Sequence, residues 1–126
     1  MQSKPAMAPK ADTRRVLIVD DNVGLAENIA EALELEGHET RVAITAAEGL
    51  TQATSWSHDV IITDYRLPDS SGANLLRQLR ALGVRVKAVV ISAYTDDSTI
   101  EDARSAGAAF VPKPVDLSIL GQLLRA

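Results

Sequence analysis

Val60-Ile61-Ile62-Thr63-Asp64-Tyr65-Arg66-Leu67-Pro68 is an apolar run that ends in an acid and passes into a proline-led loop. So short a run, apolar on successive residues, predicts a strand buried on both faces, as in parallel sheets. Asp64 then stands at the strand's carboxyl end, where open α/β sheets hold their ligands. Three other apolar runs also lead into polar residues. Residues 16–19 lead into Asp20-Asp21, residues 86–91 into Ser92, and residues 108–111 into Lys113-Pro114. These ends are expected to converge on Asp64 and form one site.

Between the strands the pattern is helical. Asn22 is placed to cap a helix whose Leu25, Ile29 and Leu33 share one face, with Gly37 as its stop. Residues 39–43 read as a strand at a sheet edge. Thr45 caps a second helix running to about Ser55, with Trp56 and His58 at its end. Residues 66–72 have turn chemistry throughout. A helix follows from Ala73, with Leu75, Leu76, Leu79 and Leu82 inward and Gly83 as its stop. Thr95 is expected to cap a fourth helix, with Asp96 and Asp97 in its first turn. That helix has a poor apolar stripe (Ile100, Ala103, Ala106) and is expected to be weakly held. Asp116 caps a last helix that turns Leu117, Leu120 and Leu124 inward, while Ile119 and Leu123 widen its stripe. The strand–helix alternation, repeated five times, predicts an α/β fold: a doubly wound, five-stranded parallel sheet with helices on both sides.

Composition narrows the function. The chain has 126 residues, which suits one domain, and residues 15–126 are assigned to it. Residues 1–14, rich in Lys, Pro and Ala without periodicity, are expected to be a disordered arm or linker. The formal net charge of −4 argues against a broad nucleic-acid footprint. There is no cysteine, which excludes disulfides, thiolate metal sites and cysteine nucleophiles. No apolar run approaches the ~20 residues of a membrane span, and the N-terminus lacks an apolar signal core. The cytoplasm is the expected location.

Asp20, Asp21 and Asp64 would gather three carboxylates, and like charges so close need compensation. A hard divalent cation suits them: magnesium takes oxygen ligands and binds through a few carboxylates plus phosphate oxygens. Lys113 adds a positive charge and Ser92 a hydroxyl. A carboxylate, a cation, a lysine and a hydroxyl are the parts for phosphoryl transfer onto an aspartate.

With Val19-Asp20-Asp21-Asn22, Asp64 to Pro68 with Gly72, Ile91-Ser92-Ala93 and Lys113-Pro114 all in order, the chain resembles a response-regulator receiver domain of two-component signalling. Each piece alone is a weak signal; four in order, each at a strand end, are a strong one. The resemblance implies the flavodoxin-like strand order 2-1-3-4-5, which the pattern alone does not supply. It implies that Asp64 is phosphorylated by a histidine kinase or histidine phosphotransfer protein. It also implies that Asp20 or Asp21, Asp64 and the main-chain carbonyl of Arg66 hold Mg2+, with Mn2+ as a substitute. Lys113 would pair with the phosphoryl group, across a cis bond to Pro114. Ser92 and Phe110 would form the switch, and the fourth helix, fifth strand and fifth helix the face that changes. A downstream protein partner or a fused effector domain outside this chain would read that face; neither nucleic acid nor membrane insertion is expected. The activity would be self-catalysed phosphoryl acceptance and autodephosphorylation. Phe110 lacks a tyrosine's hydroxyl, so its switching would rest on packing. Arg66 and Tyr94 occupy positions that tune hydrolysis of the phosphoaspartate in this family.

Plainer readings compete. Alone, Asp20-Asp21 reads as a helix cap as readily as a ligand pair, Ser92 as a hydroxyl bonded to backbone, and Phe110 as core. His38 and His58 read as surface residues and Trp56 as partial packing. A magnesium-dependent phosphatase would want a second acid where Arg66 stands. A nucleotide or flavin module would want a Gly- or Ser/Thr-rich loop where Asp20-Asp21-Asn22 stands. The alternative function is a phosphorylation-independent docking module of the same fold.

Overall fold

Alternation along five short strands divides the core into two halves. The structure, a computed structural model, describes residues 13–125. The elements are β1 (Arg15–Val19), α1 (Val23–Leu35), β2 (Glu39–Ala43), α2 (Ala46–Ser55), β3 (Val60–Asp64), α3 (Gly72–Ala81), β4 (Lys87–Ser92), α4 (Asp97–Ser105), β5 (Ala109–Pro112) and α5 (Leu117–Arg125). All strand pairs are parallel, in the order β2-β1-β3-β4-β5. Successive side chains of a strand point to opposite faces. Val16 and Ile18 of β1 therefore join Ile29, Leu33, Leu120 and Leu124 on the α1/α5 side. Leu17 and Val19 join Ala53, Leu75, Leu79 and Ala103 on the α2/α3/α4 side. With helices on both faces, β3 is buried along its whole length. The expected fold class and strand order stand.

Register brings the site together. Val19 lies opposite Thr63, Asp64 opposite Ile91, and Ser92 opposite Pro112. Asp20, Asp64, Ser92 and Lys113 therefore line one edge of the sheet. Three caps fall where cap chemistry favours them. Asn22 accepts from the Leu25 N–H at 3.1 Å, Thr45 from the Glu48 N–H at 3.0 Å and Ser71 from the Asn74 N–H at 3.0 Å. Gly37 and Gly83 close α1 and α3 with φ of 95° and 83°.

Several expectations are corrected. The cap of α4 is Asp96, not Thr95: its carboxylate accepts from the N–H and the hydroxyl of Thr99. Both residues are able caps, and the carboxylate reaches two donors at once. Strands β4 and β5 each start one residue later than expected. Leu82 is 61% exposed, because α3 ends at Ala81 and Leu82 leaves the inward face. Leu117, at the start of α5, is 41% exposed. His38 and His58 are buried, not on the surface. His38 Nδ1 accepts from the Arg14 N–H at 2.9 Å, and His58 Nδ1 lies 3.1 Å from the Trp56 carbonyl. Trp56 is buried too, stacked beside His58 with the Arg41 guanidinium 4.6 Å over its ring. The expected arm at residues 1–14 lies outside the described residues, apart from Thr13 and Arg14. Among the described residues, no helix is long and apolar enough to cross a membrane.

Candidate functional site

Asp20, Asp21 and Asp64 each present a carboxylate oxygen within 4.8 Å of the others'. Asp20 and Asp64 are buried, while Asp21 is exposed at the rim. The Oδ1 of Asp20 accepts the Asn22 N–H at 2.9 Å, which holds the carboxylate at the start of the loop into α1. Its Oδ2 is buried and accepts no hydrogen bond. Lys113 Nζ lies 3.3 Å from that oxygen and 3.4 Å from Asp64 Oδ2. The lysine is thus shared between two carboxylates and does not align on Asp20 well enough for a hydrogen bond.

One ammonium does not balance three carboxylates. Burial pushes the Asp64 carboxyl above its ordinary value, and the Asp20 charge pushes it further; Lys113 opposes both. The unsatisfied oxygen on Asp20 and the surplus negative charge suit a hard divalent cation with oxygen ligands. The absence of histidine and cysteine from the cluster argues against zinc.

The loop between β3 and α3 returns tightly under the pocket. The Gly72 N–H donates to the Tyr65 carbonyl at 2.8 Å, and the Leu67 N–H to the Ser70 carbonyl at 3.1 Å. A Cβ on Gly72 would lie 2.4 Å from the Asp64 carbonyl oxygen, so only glycine lets the chain come back this close. Arg66, expected to offer its main-chain carbonyl, lies in this loop with its side chain exposed. Ser92 is buried, and its Oγ accepts the Tyr94 N–H at 2.9 Å. The Lys113 N–H donates to the Ser92 carbonyl at 2.8 Å, and the Lys113-Pro114 peptide is cis, as expected. Phe110 is half-buried against the α2/α3/α4 core, beside Val90. Packing is its visible role.

Three arrangements at the site escaped the sequence. Asp69 accepts hydrogen bonds from the Ala46 and Ala47 amides across to α2. The Tyr65 hydroxyl donates to Asp102 of α4 at 2.7 Å, and Arg77 of α3 binds the same carboxylate. The Arg66 guanidinium lies over the Tyr94 ring. Each joins residues far apart in the chain, and no local spacing announces them.

Known proteins agree with this architecture. The sequence pattern of the response regulator receiver domain matches residues 16–125. A response regulator receiver protein of Anaeromyxobacter is 43% identical over 81% of this chain and 43% of its own length. The sporulation initiation phosphotransferase F of Bacillus subtilis is 25% identical over 82% of this chain and 84% of its own. The chain spans about half or less of the first curated relatives it matches, at 43%, 24% and 52% of their lengths. Among solved structures, a CheY-like receiver domain protein of Methanospirillum hungatei superposes with TM-score 0.82 at 32% identity, covering 87% of this chain and 89% of the other. A response regulator of Burkholderia pseudomallei, described with a phosphorylated aspartic acid, calcium ion and citrate, superposes with TM-score 0.82 at 27% identity over 90% of this chain and 67% of its own. With the sheet order, the acidic pocket and its lysine on the same edge, the chain belongs to the response regulator receiver domain family of two-component systems.

Proposed function

We propose that Asp64 accepts a phosphoryl group from the phosphohistidine of a histidine kinase or histidine phosphotransfer protein. The observation that carries this reading is the buried Asp64 carboxylate, in a cluster of three acids within 4.8 Å and 3.4 Å from the Lys113 ammonium. An Asp64 oxygen attacks phosphorus; the phosphorus–nitrogen bond breaks and its electron pair stays on the donor imidazole. Lys113, already between Asp20 and Asp64, meets the charge on the phosphoryl oxygens. Bound Mg2+, or Mn2+ in its place, supplies a hard positive charge that offsets the crowded carboxylates and the incoming phosphoryl oxygens. Asp20, Asp21 and Asp64, with the main-chain carbonyl of Arg66, would hold it.

Ser92 reports the change. Its Oγ now accepts the Tyr94 N–H, while its own proton remains free to bond a phosphoryl oxygen. Phe110 then repacks with the α4–β5–α5 face, where Ile119 is 43% exposed to a downstream partner or effector domain. The Burkholderia regulator's phosphorylated aspartate, on the same fold, supports the chemistry. Autodephosphorylation resets the switch, so the unit, residues 15–126 of a cytoplasmic protein, signals without turning over a substrate.

The test is intact mass after incubation with a small acyl phosphate, with and without magnesium, alongside Asp64→Asn. A gain of one phosphoryl group that needs magnesium and vanishes in the variant is the expected result. No gain in folded protein would leave phosphorylation-independent docking as the function.

A further inference from the structure

We propose that Asp69 is a positioning residue for the metal: its carboxylate, held by the first two amides of α2, fixes the loop 66–71 whose main chain completes the ligand set. The inference rests on the metal role given above to the Arg66 carbonyl.

Asp69 is an exposed loop acid, yet both of its oxygens are engaged. Oδ1 accepts the Ala46 N–H at 2.8 Å and Oδ2 the Ala47 N–H at 2.9 Å. Two charge-assisted bonds at a helix N-terminus, where the dipole is positive, make a firm and directional clamp. The same two bonds hold the Asp69 carboxyl below its ordinary value. The helix does not need Asp69 as its only cap. Thr45 Oγ1 already takes the Glu48 N–H at 3.0 Å, and Glu48 Oε1 takes the Ile44 N–H at 2.8 Å. What the clamp adds is a tie between the helix and the loop.

The loop transmits that tie. Its ends are joined by the Gly72–Tyr65 bond at 2.8 Å, and its middle by the Leu67–Ser70 bond at 3.1 Å. Leu67 is buried, so its side chain anchors the same turn. A shift at Asp69 therefore moves Arg66 rather than dissipating in slack chain. The other end of the tie is rigid. Helix α2 sits so close to β1 that a Cβ on Gly49 would lie 3.0 Å from Val19 Cγ2 and 3.2 Å from Leu75 Cδ2. Val19 is followed by Asp20. Asp20 and the Arg66 loop are thus referenced to one α2–β1 contact, which holds the two halves of the ligand set at a constant separation.

The experiment is a calorimetric titration of Mg2+ into the whole chain, as wild type, Asp69→Ala, Asp69→Asn and Thr45→Ala. Outer residues that orient ligands commonly change metal affinity by about 10-fold or more. Asp69→Ala is expected to weaken Mg2+ binding by about that factor, and Asp69→Asn, which keeps one acceptor, by less. Thr45→Ala loosens the same helix end without touching the loop, so its Mg2+ affinity should equal that of the wild type. Wild-type affinity in Asp69→Ala would overturn the inference, and so would equal weakening in Thr45→Ala. Failure of the wild type itself to bind Mg2+ would overturn the metal role and the inference together.

Discussion

The guanidinium carbon of Arg66 lies 4.0 Å from the centroid of the Tyr94 ring. Arg66 follows β3 by two residues and Tyr94 follows β4 by two, so the stack bridges adjacent strand ends beside Asp64 and Ser92. An exposed cation–π contact contributes about 0.5–1 kcal/mol, which a double-mutant cycle on Arg66→Ala and Tyr94→Ala should recover. On the proposed phosphorylation of Asp64, such a bridge across the rim would restrict water's approach to the phosphoryl group. Either substitution is expected to shorten the phosphoryl lifetime, and the double variant to shorten it no further. The decay of labelled protein measures this; unchanged decay in both single variants would remove the stack from the reaction.

Asp64 stands against the stability of the metal-free fold. Burial, and then the Asp20 charge, raise its pKa above the ordinary carboxylate value of 3.8. A raised pKa means that the folded state favours the protonated form. That contribution is complete below 3.8 and is lost as pH rises through the raised folded value. At neutral pH without metal, Asp64→Asn should therefore melt above the wild type, and the gap should close toward pH 3.8. Thermal melts across pH test the sign directly; a variant that melts lower at neutral pH would contradict it.

Helix α4 is held by a polar clamp more than by its apolar footing. Ala103 and Ala106 are buried as expected, but both are small, and Ile100 is only half-buried. The Tyr65 hydroxyl and Arg77 both bind the Asp102 carboxylate, and Arg77 also reaches Ser105 at 2.8 Å. Tyr65→Phe should cost about 1 kcal/mol, the worth of one hydrogen bond, and Asp102→Ala about 1–2 kcal/mol, since it also removes the partly exposed ion pair with Arg77. Hydrogen exchange should quicken in α4 before it quickens in β3 or β4. Uniform acceleration would show that the clamp serves the whole domain and not this helix.

What the sequence revealed and what it hid divide along a physical line. Runs such as residues 60–64 are apolar enough to be strands buried on both faces, and once they pair in parallel, register alone carries Asp20, Asp64 and Lys113 to one edge. The caps expected at Asn22 and Thr45 have local partners three residues on, so spacing finds them. Asp69 and Tyr65 have partners on other elements, and nothing in their neighbourhood marks them. Leu82 misled because the apolar period runs on past the end of α3 at Ala81, and Leu117 because it opens α5 at the exposed end of an otherwise inward stripe. His38 and His58 misled because each meets a single backbone group, Arg14 N–H and the Trp56 carbonyl, that no motif encodes, and burial leaves His58 Nε2 without a hydrogen bond.

Asp20 is expected to separate the stability of the pocket from the metal affinity proposed for it. It is fully buried, one of its oxygens accepts no hydrogen bond, and its charge raises the Asp64 pKa. Asp20→Asn removes a charge that the metal-free fold holds at a cost, while its amide oxygen can still accept the Asn22 N–H. The metal-free variant should therefore melt at or above the wild type. A ligand that binds only the folded state stabilises it by RT ln(1 + [L]/Kd), about 2.7 kcal/mol at 100 times Kd. Wild-type protein should gain stability with Mg2+ on that curve, and Asp20→Asn should lose most of the gain. The two melting curves should thus cross as Mg2+ is added, with the variant ahead at zero metal and behind at saturation. Parallel curves would mean that Asp20 serves the fold alone, because a residue that only caps a turn has no reason to reverse its effect when a cation arrives.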